Sequence, residues 1–223
     1  MAAARDAARA EEQKADELKF MQSAIGARLQ LARTECAYGL NAAAQRDMTP
    51  LLSEKLGPAQ QWQMAVMVAQ CGDETKARQY LDGILKDRPD DTLLHGMVSP
   101  AVLASLDLRH GPAAKAIDDL APAVTYDRAV PGVQSAQLRA SAYLAAGQPA
   151  KALQEVQWQL TQKQSVGTVV YEVAQLTAAR AYAAEGDKGR AREMYQDVLA
   201  AWKNADADLP LVQQARAEYA KLQ

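Results

Sequence analysis

Apolar positions along this chain recur at three- and four-residue intervals, the period of an amphipathic helix, in runs cut by glycine and proline. The clearest stretch is Leu176–Asn204, where two such patterns flank Glu185-Gly186-Asp187. Upstream, a helix is predicted from Met21 to about Tyr38, across Gly26, with Ile25, Leu29, Ala32 and Cys36 on one face. Asn41 is placed to cap a second helix reaching about Lys55, bent or shortened by Pro50. Pro58 opens a third, carrying Trp62, Met64, Met67 and Val68 to Cys71, and Asp73 caps a fourth that stops by Pro89. Between Asp90 and His110 the helical pattern should kink or split at Ser99-Pro100. A helix from Ala113 to about Ala123 follows, then an irregular stretch over residues 124–132. Two further helices cover Val133–Ala146 and Pro149 to about Gln162. Val166–Val173 has strand-like composition but sits among helices and is read as a helix start. A last helix, begun by Asp208 and Pro210, has no following partner and is expected to cap the array.

The turns repeat. Gly39, Gly72, Gly111, Gly147 and Gly186 are spaced 33, 39, 36 and 39 residues apart. Seven residues before each stands Ala32, Ala65, Ala104, Ala140 or Ala179, and five after each stands Ala44, Ala77, Ala116, Ala152 or Ala191. Five triplets in phase indicate a helix-turn-helix repeat. The alanines suit the crossing of two helices, where a larger side chain would part the axes. The glycines suit a left-handed residue ending the first helix of each pair.

Alanine-rich composition favours close-packed helices, and the net charge of −2 gives no electrostatic reason to expect nucleic acid or an acidic membrane as partner. No apolar run approaches a membrane span, and the N-terminal twenty residues carry acids and lack a signal peptide's apolar centre. Export or membrane attachment would need a further segment, so location stays open, with the cytoplasm favoured. Residues 1–20 are expected to form a solvated helix or the worn end of a preceding repeat. A coiled-coil seam lacks large apolar residues there until Leu18 and Phe20. Cys36 and Cys71 fall in no CxxC or Cys/His spacing and are read as small core or groove residues.

The last two repeats, with Ala140, Tyr143, Gly147, Ala152 and Ala179, Tyr182, Gly186, Ala191, Tyr195, resemble the tetratricopeptide repeat (TPR); Pro89 matches the proline closing the second unit. The first and third units carry Glu35 and Asp107 where that family has an aromatic residue. The stretches GDETKARQYLDGILKDRPDDTLLHGMVSPAVLASLDLRHGPAAKAIDDLAPA, AYLAAGQPAKALQEVQ and WKNADADLPLVQQARAEYAKL are similar to the C-terminal repeat region of bacterial serine/threonine protein kinases and winged-helix regulators, of the type abundant in acidobacteria. The resemblance implies an all-α, TPR-like solenoid of about five helix pairs over residues 21–204, with a capping helix over 205–223. It also implies an accessory sensing or docking role.

No phosphate loop, kinase catalytic loop or nucleophile elbow is present, and the two histidines, His95 and His110, lie fifteen residues apart. The expectation is a binding module, not an enzyme, with no cofactor and no metal. Family positions lining the inner groove map to Leu29, Arg33 and Cys36; Trp62, Val66 and Gln70; Ala101, Ser105 and Arg109; Gln134, Gln137 and Ser141; and Val173, Leu176 and Arg180. Of these, Arg33, Trp62, Gln70, Arg109, Gln134, Gln137 and Arg180 are the candidate partner contacts, the three arginines serving as anchors for an acidic or C-terminal peptide. The lysine/asparagine carboxylate clamp of chaperone-binding TPRs is absent from these positions. Trp62, Trp158 and Trp202 are expected in the core or between repeats. The alternative function is self-association into a homodimer; a groove for a small metabolite is weaker.

Overall fold

A computed structural model of the protein describes residues 2–17, 21–127, 134–162 and 168–223. Every regular element among them is helical. The chain divides into two compact units, Met1–Asp91 and Thr92–Gln223.

The first unit holds α1 (Ala2–Glu17), α2 (Met21–Ala37), α3 (Asn41–Met48), α4 (Pro58–Cys71) and α5 (Glu74–Asp87). Helix α2 packs on α1, α3 and α4, and α4 packs on α5. Pro50 acts as expected: α3 stops at Met48 and a 3-10 turn, Thr49–Ser53, carries the buried Leu51. Asn41 does not cap α3. The preceding turn closes through the Leu40 N–H donating to the Glu35 carbonyl at 2.8 Å, which leaves Leu40 at the cap and Asn41 inside the helix. Asp73 does cap α5, its carboxylate accepting from the Lys76 N–H at 2.9 Å.

The second unit holds α6 (Ser99–His110), α7 (Ala113–Leu120), α8 (Ser135–Ala145), α9 (Pro149–Thr161), α10 (Thr168–Ala184), α11 (Lys188–Ala201) and α12 (Pro210–Ala220). Successive pairs α6/α7, α8/α9 and α10/α11 form hairpins, and the first helices of neighbouring pairs also touch. The predicted break at Ser99-Pro100 is instead a π-helical turn, Leu94–Val98, running straight into α6. Proline has no N–H to give and crowds the carbonyl four residues back. The wider π turn absorbs both effects, with the Ser99 N–H reaching the Leu94 carbonyl. Residues 121–126, expected to be partly irregular, continue α7 as a 3-10 turn, while residues 128–133 lie outside the described chain. Thr168 starts α10, so the described part of the strand-like segment is helical; Val166 and Gly167 lie outside the described residues. The capping helix begins after Leu209 and buries Val212 and Ala215 against the end of its unit.

All ten alanines of the repeating triplet have 0% exposure. The glycines divide into two kinds. Gly39, Gly147 and Gly186 have φ of 82°, 69° and 82°, the left-handed residue of a helix stop in which the following N–H reaches back five residues, as Gln148 does to the Tyr143 carbonyl at 2.8 Å. Gly72 and Gly111 are extended instead, against expectation. At Gly72 it is closeness that demands glycine: an added Cβ would meet the Val68 carbonyl oxygen at 2.5 Å. A larger residue at the buried crossing points should be poorly tolerated. Ala152→Leu or Ala191→Leu is expected to cost about 1–3 kcal/mol by overpacking, read as a lowered thermal midpoint; an unchanged midpoint would contradict the register.

Candidate interaction surface

One structural rule links the turn to the chemistry around it. In the third, fourth and fifth hairpins the residue four before the turn glycine lies beside the residue four after it, because the hairpin folds one helix face onto the next. Tyr143 is covered by the Lys151 ammonium at 5.3 Å, and Tyr182 by the Arg190 guanidinium at 4.6 Å. In the third hairpin the pair becomes Asp107 and Lys115, bonded at 2.7 Å, with Lys115 also reaching Asp119 at 2.9 Å. Asp107 is thus paired within its own hairpin.

The first hairpin has Ala43 at the basic position, so Glu35 draws its cation from elsewhere. Arg5 on α1 donates to it at 2.6 Å, and Glu35 is 0% exposed. Burial, the strongest influence, pushes the Glu35 carboxyl above its ordinary range; Arg5 pulls it down and Asp47 pushes it up again. The folded state therefore holds this proton more tightly than the unfolded chain. The resulting stability is full below the ordinary glutamate range and is lost as pH rises through the folded pKa. Glu35→Gln should remove that slope, so that the variant gains on the wild type between about pH 4 and pH 7. Urea melts across that range check it, and parallel pH profiles would contradict it.

The seven candidate contacts fall in both units. In the first, Arg33 on α2 is half-buried; burial lowers the pKa of its guanidinium, and its side chain donates to the neutral amide of Gln30 at 2.7 Å. Trp62 on α4 is buried, its ring 5.7 Å from the Arg88 guanidinium, and its indole N–H has no hydrogen-bond partner. Gln70, half-buried, precedes Cys71 at the end of α4. Cys36 and Cys71 are not separate core residues: they form a disulfide, with Cα atoms 5.8 Å apart. Spacing in sequence could not show this, because the two approach only when α2 lies along α4.

In the second unit, Arg109 is exposed in the last turn of α6. Gln134 stands at the start of α8 with φ of 50°. Gln137 is buried and ties α8 to α10, its amide donating to the Thr177 hydroxyl at 2.7 Å. Arg180 is held within the chain: it grips Glu218 of α12 through two bonds of 2.9 and 3.0 Å, and Tyr195 donates to the same carboxylate at 3.0 Å. Other mapped groove positions, Leu29, Val66, Ala101, Ser105 and Leu176, are buried. A first helix that touches both its hairpin partner and the next first helix has little open face left.

Two features went unseen in the sequence. Arg139 is 3% exposed and binds Asp127 and Glu155 together. Trp158, expected in packing, is 41% exposed on α9, whereas Trp62 and Trp202 are buried. Among the described residues, no group of three or more His, Cys, Asp or Glu side chains is arranged to hold a metal, and no helix is long and apolar enough to cross a membrane. Comparison with family models, curated proteins and solved structures found no match to the chain.

Proposed function

We propose that this chain is a protein–protein interaction module of TPR type, serving as the sensing or docking region of a bacterial signalling protein. The observation that carries this reading is the complete burial of all ten repeat alanines, which is what helix pairs crossing closely at small residues require. Arg33 in the first unit and Arg109 in the second are the proposed contacts for an acidic peptide or protein, each within its own unit. Arg33 is partly desolvated and bonded to a neutral amide, so a carboxylate would improve its surroundings. Arg180 is withdrawn from that role by Glu218.

Charge reversal at Arg33 and Arg109 tests the proposal. The double variant Arg33→Glu/Arg109→Glu is expected to lose a partner captured by the wild-type chain from extracts of its own cells, with helical circular dichroism unchanged. Capture retained at wild-type strength would sink the groove reading.

Self-association is the second reading, and exposed Trp158 favours it. Phe20, which could also support a dimer, lies outside the described residues, and Trp62 is buried. Light scattering over a concentration series, with Trp158→Ser beside wild type, separates the two. A dimer lost in that variant speaks for self-association.

A further inference from the structure

The chain's two cysteines, Cys36 and Cys71, join the last turn of α2 to the last residue of α4. The surroundings of this disulfide are those of a staple and not of a switch. Cys71 is 1% exposed, its sulfur lies 3.1 Å from the Met67 carbonyl oxygen, and its own carbonyl accepts from the Gln45 amide at 2.7 Å. Thiol exchange opens a disulfide by expelling a thiolate. Here that charge would appear at the negative ends of two helices and beside a carbonyl oxygen. Reactive dithiols sit in electropositive surroundings, whereas the neighbour of the Cys71 sulfur is a carbonyl oxygen. The link also falls where α2 most needs one. Its hairpin partner α3 has only 8 residues, and the first hairpin lacks the basic residue that pairs across the turn in the third, fourth and fifth.

We infer that Cys36–Cys71 is a permanent covalent staple and that this chain matures where thiols are oxidised, outside a reducing cytosol. The inference is independent of any partner. Closure takes a small disulfide oxidant of the glutathione-disulfide class. The thiolate of Cys36, the more exposed of the two, attacks one sulfur of the oxidant and releases one glutathione thiolate. Cys71 then attacks the Cys36 sulfur of the mixed disulfide and releases the second. Two electrons pass from the cysteine pair to the oxidant, and the two thiol protons end on the two glutathiones.

The test makes the full chain twice in one expression host, in the reducing cytoplasm and, behind an added leader, in an oxidising compartment. Thiols are then counted in denaturant. The exported chain should show none. The cytoplasmic chain should show two, falling to none when glutathione disulfide is added to the folded protein. Closure should slow proteolysis within residues 21–91 on the order of tenfold or more, and this protection should be missing from Cys36→Ser/Cys71→Ser. Dithiothreitol acting on the oxidised wild type gives the same comparison if the double variant does not fold. Three results overturn the inference: a cytoplasmic chain already closed, a closed chain cleaved as fast as the reduced one, or a bond that opens in the folded protein at about a tenfold excess of reduced over oxidised glutathione.

Discussion

Arg139→Met should lower the stability of the second unit by about 3 kcal/mol, the lower end of what is seen when one member of a buried ion cluster is removed. Arg139 is 3% exposed and donates through Nη1 and Nη2 to Asp127, and through Nε and Nη2 to Glu155 at 3.0 and 2.7 Å. Burial alone would pull its pKa down, but the bonds from Asp127 and Glu155 outweigh burial and raise it. Methionine can fill the volume of the stem, so the loss would be electrostatic: two carboxylates left close together without their cation. They remain 24% and 20% exposed, and water therefore moderates the penalty. Adding Asp127→Asn and Glu155→Gln to Arg139→Met should restore much of the loss, because it removes the stranded charges. Urea denaturation of the single and triple variants decides this. A triple variant no better than the single one would mean that Arg139 acts through packing.

Opening the disulfide is the second large effect. Cys36 and Cys71 are 35 residues apart, and closing a loop of that size takes enough entropy from the unfolded chain to be worth about 4 kcal/mol. Cys36→Ser/Cys71→Ser should lose that amount, with faster hydrogen exchange in α2 and α4 and little change in α8 to α11. Exchange that rose equally across both units would show that the bond does not act locally.

Much of the secondary structure was legible because it rests on local rules. Periodicity placed the helices, Pro58 and Asp73 placed two starts, and Pro50 shortened α3. The failures came where a neighbour four to six residues away offered the backbone a competing bond or contact. Asn41 lost the capping position to a turn closed by Glu35. Pro100 did not break its helix, because the chain widened to a π turn ahead of it. Gly72 and Gly111 looked like left-handed stops and are extended residues held close to the preceding turn. One signal could have been read earlier: Lys115 stands where Lys151 and Arg190 stand in later repeats, so Asp107 had a partner in waiting.

Sequence and tertiary structure thus divided the candidate contacts between them. All were drawn from one repeating register, yet Arg180 is held by a helix 38 residues on, Gln137 by one 40 residues on, and Trp62 is buried under its neighbours. Arg33 stays half-buried beside Gln30, and Arg109 is exposed in the last turn of α6.

By itself the sequence determined that the chain is helical, that its helices pair about small residues, and where five turns fall. Those properties follow from backbone period and residue size, which act over a few positions. Which charges are spent inside the protein, that Cys36 meets Cys71, and that Glu35 depends on Arg5 were decided only in three dimensions. These contacts join residues from 12 to 38 positions apart, on different elements, and sequence pattern carries no measure of that distance until the helices have packed.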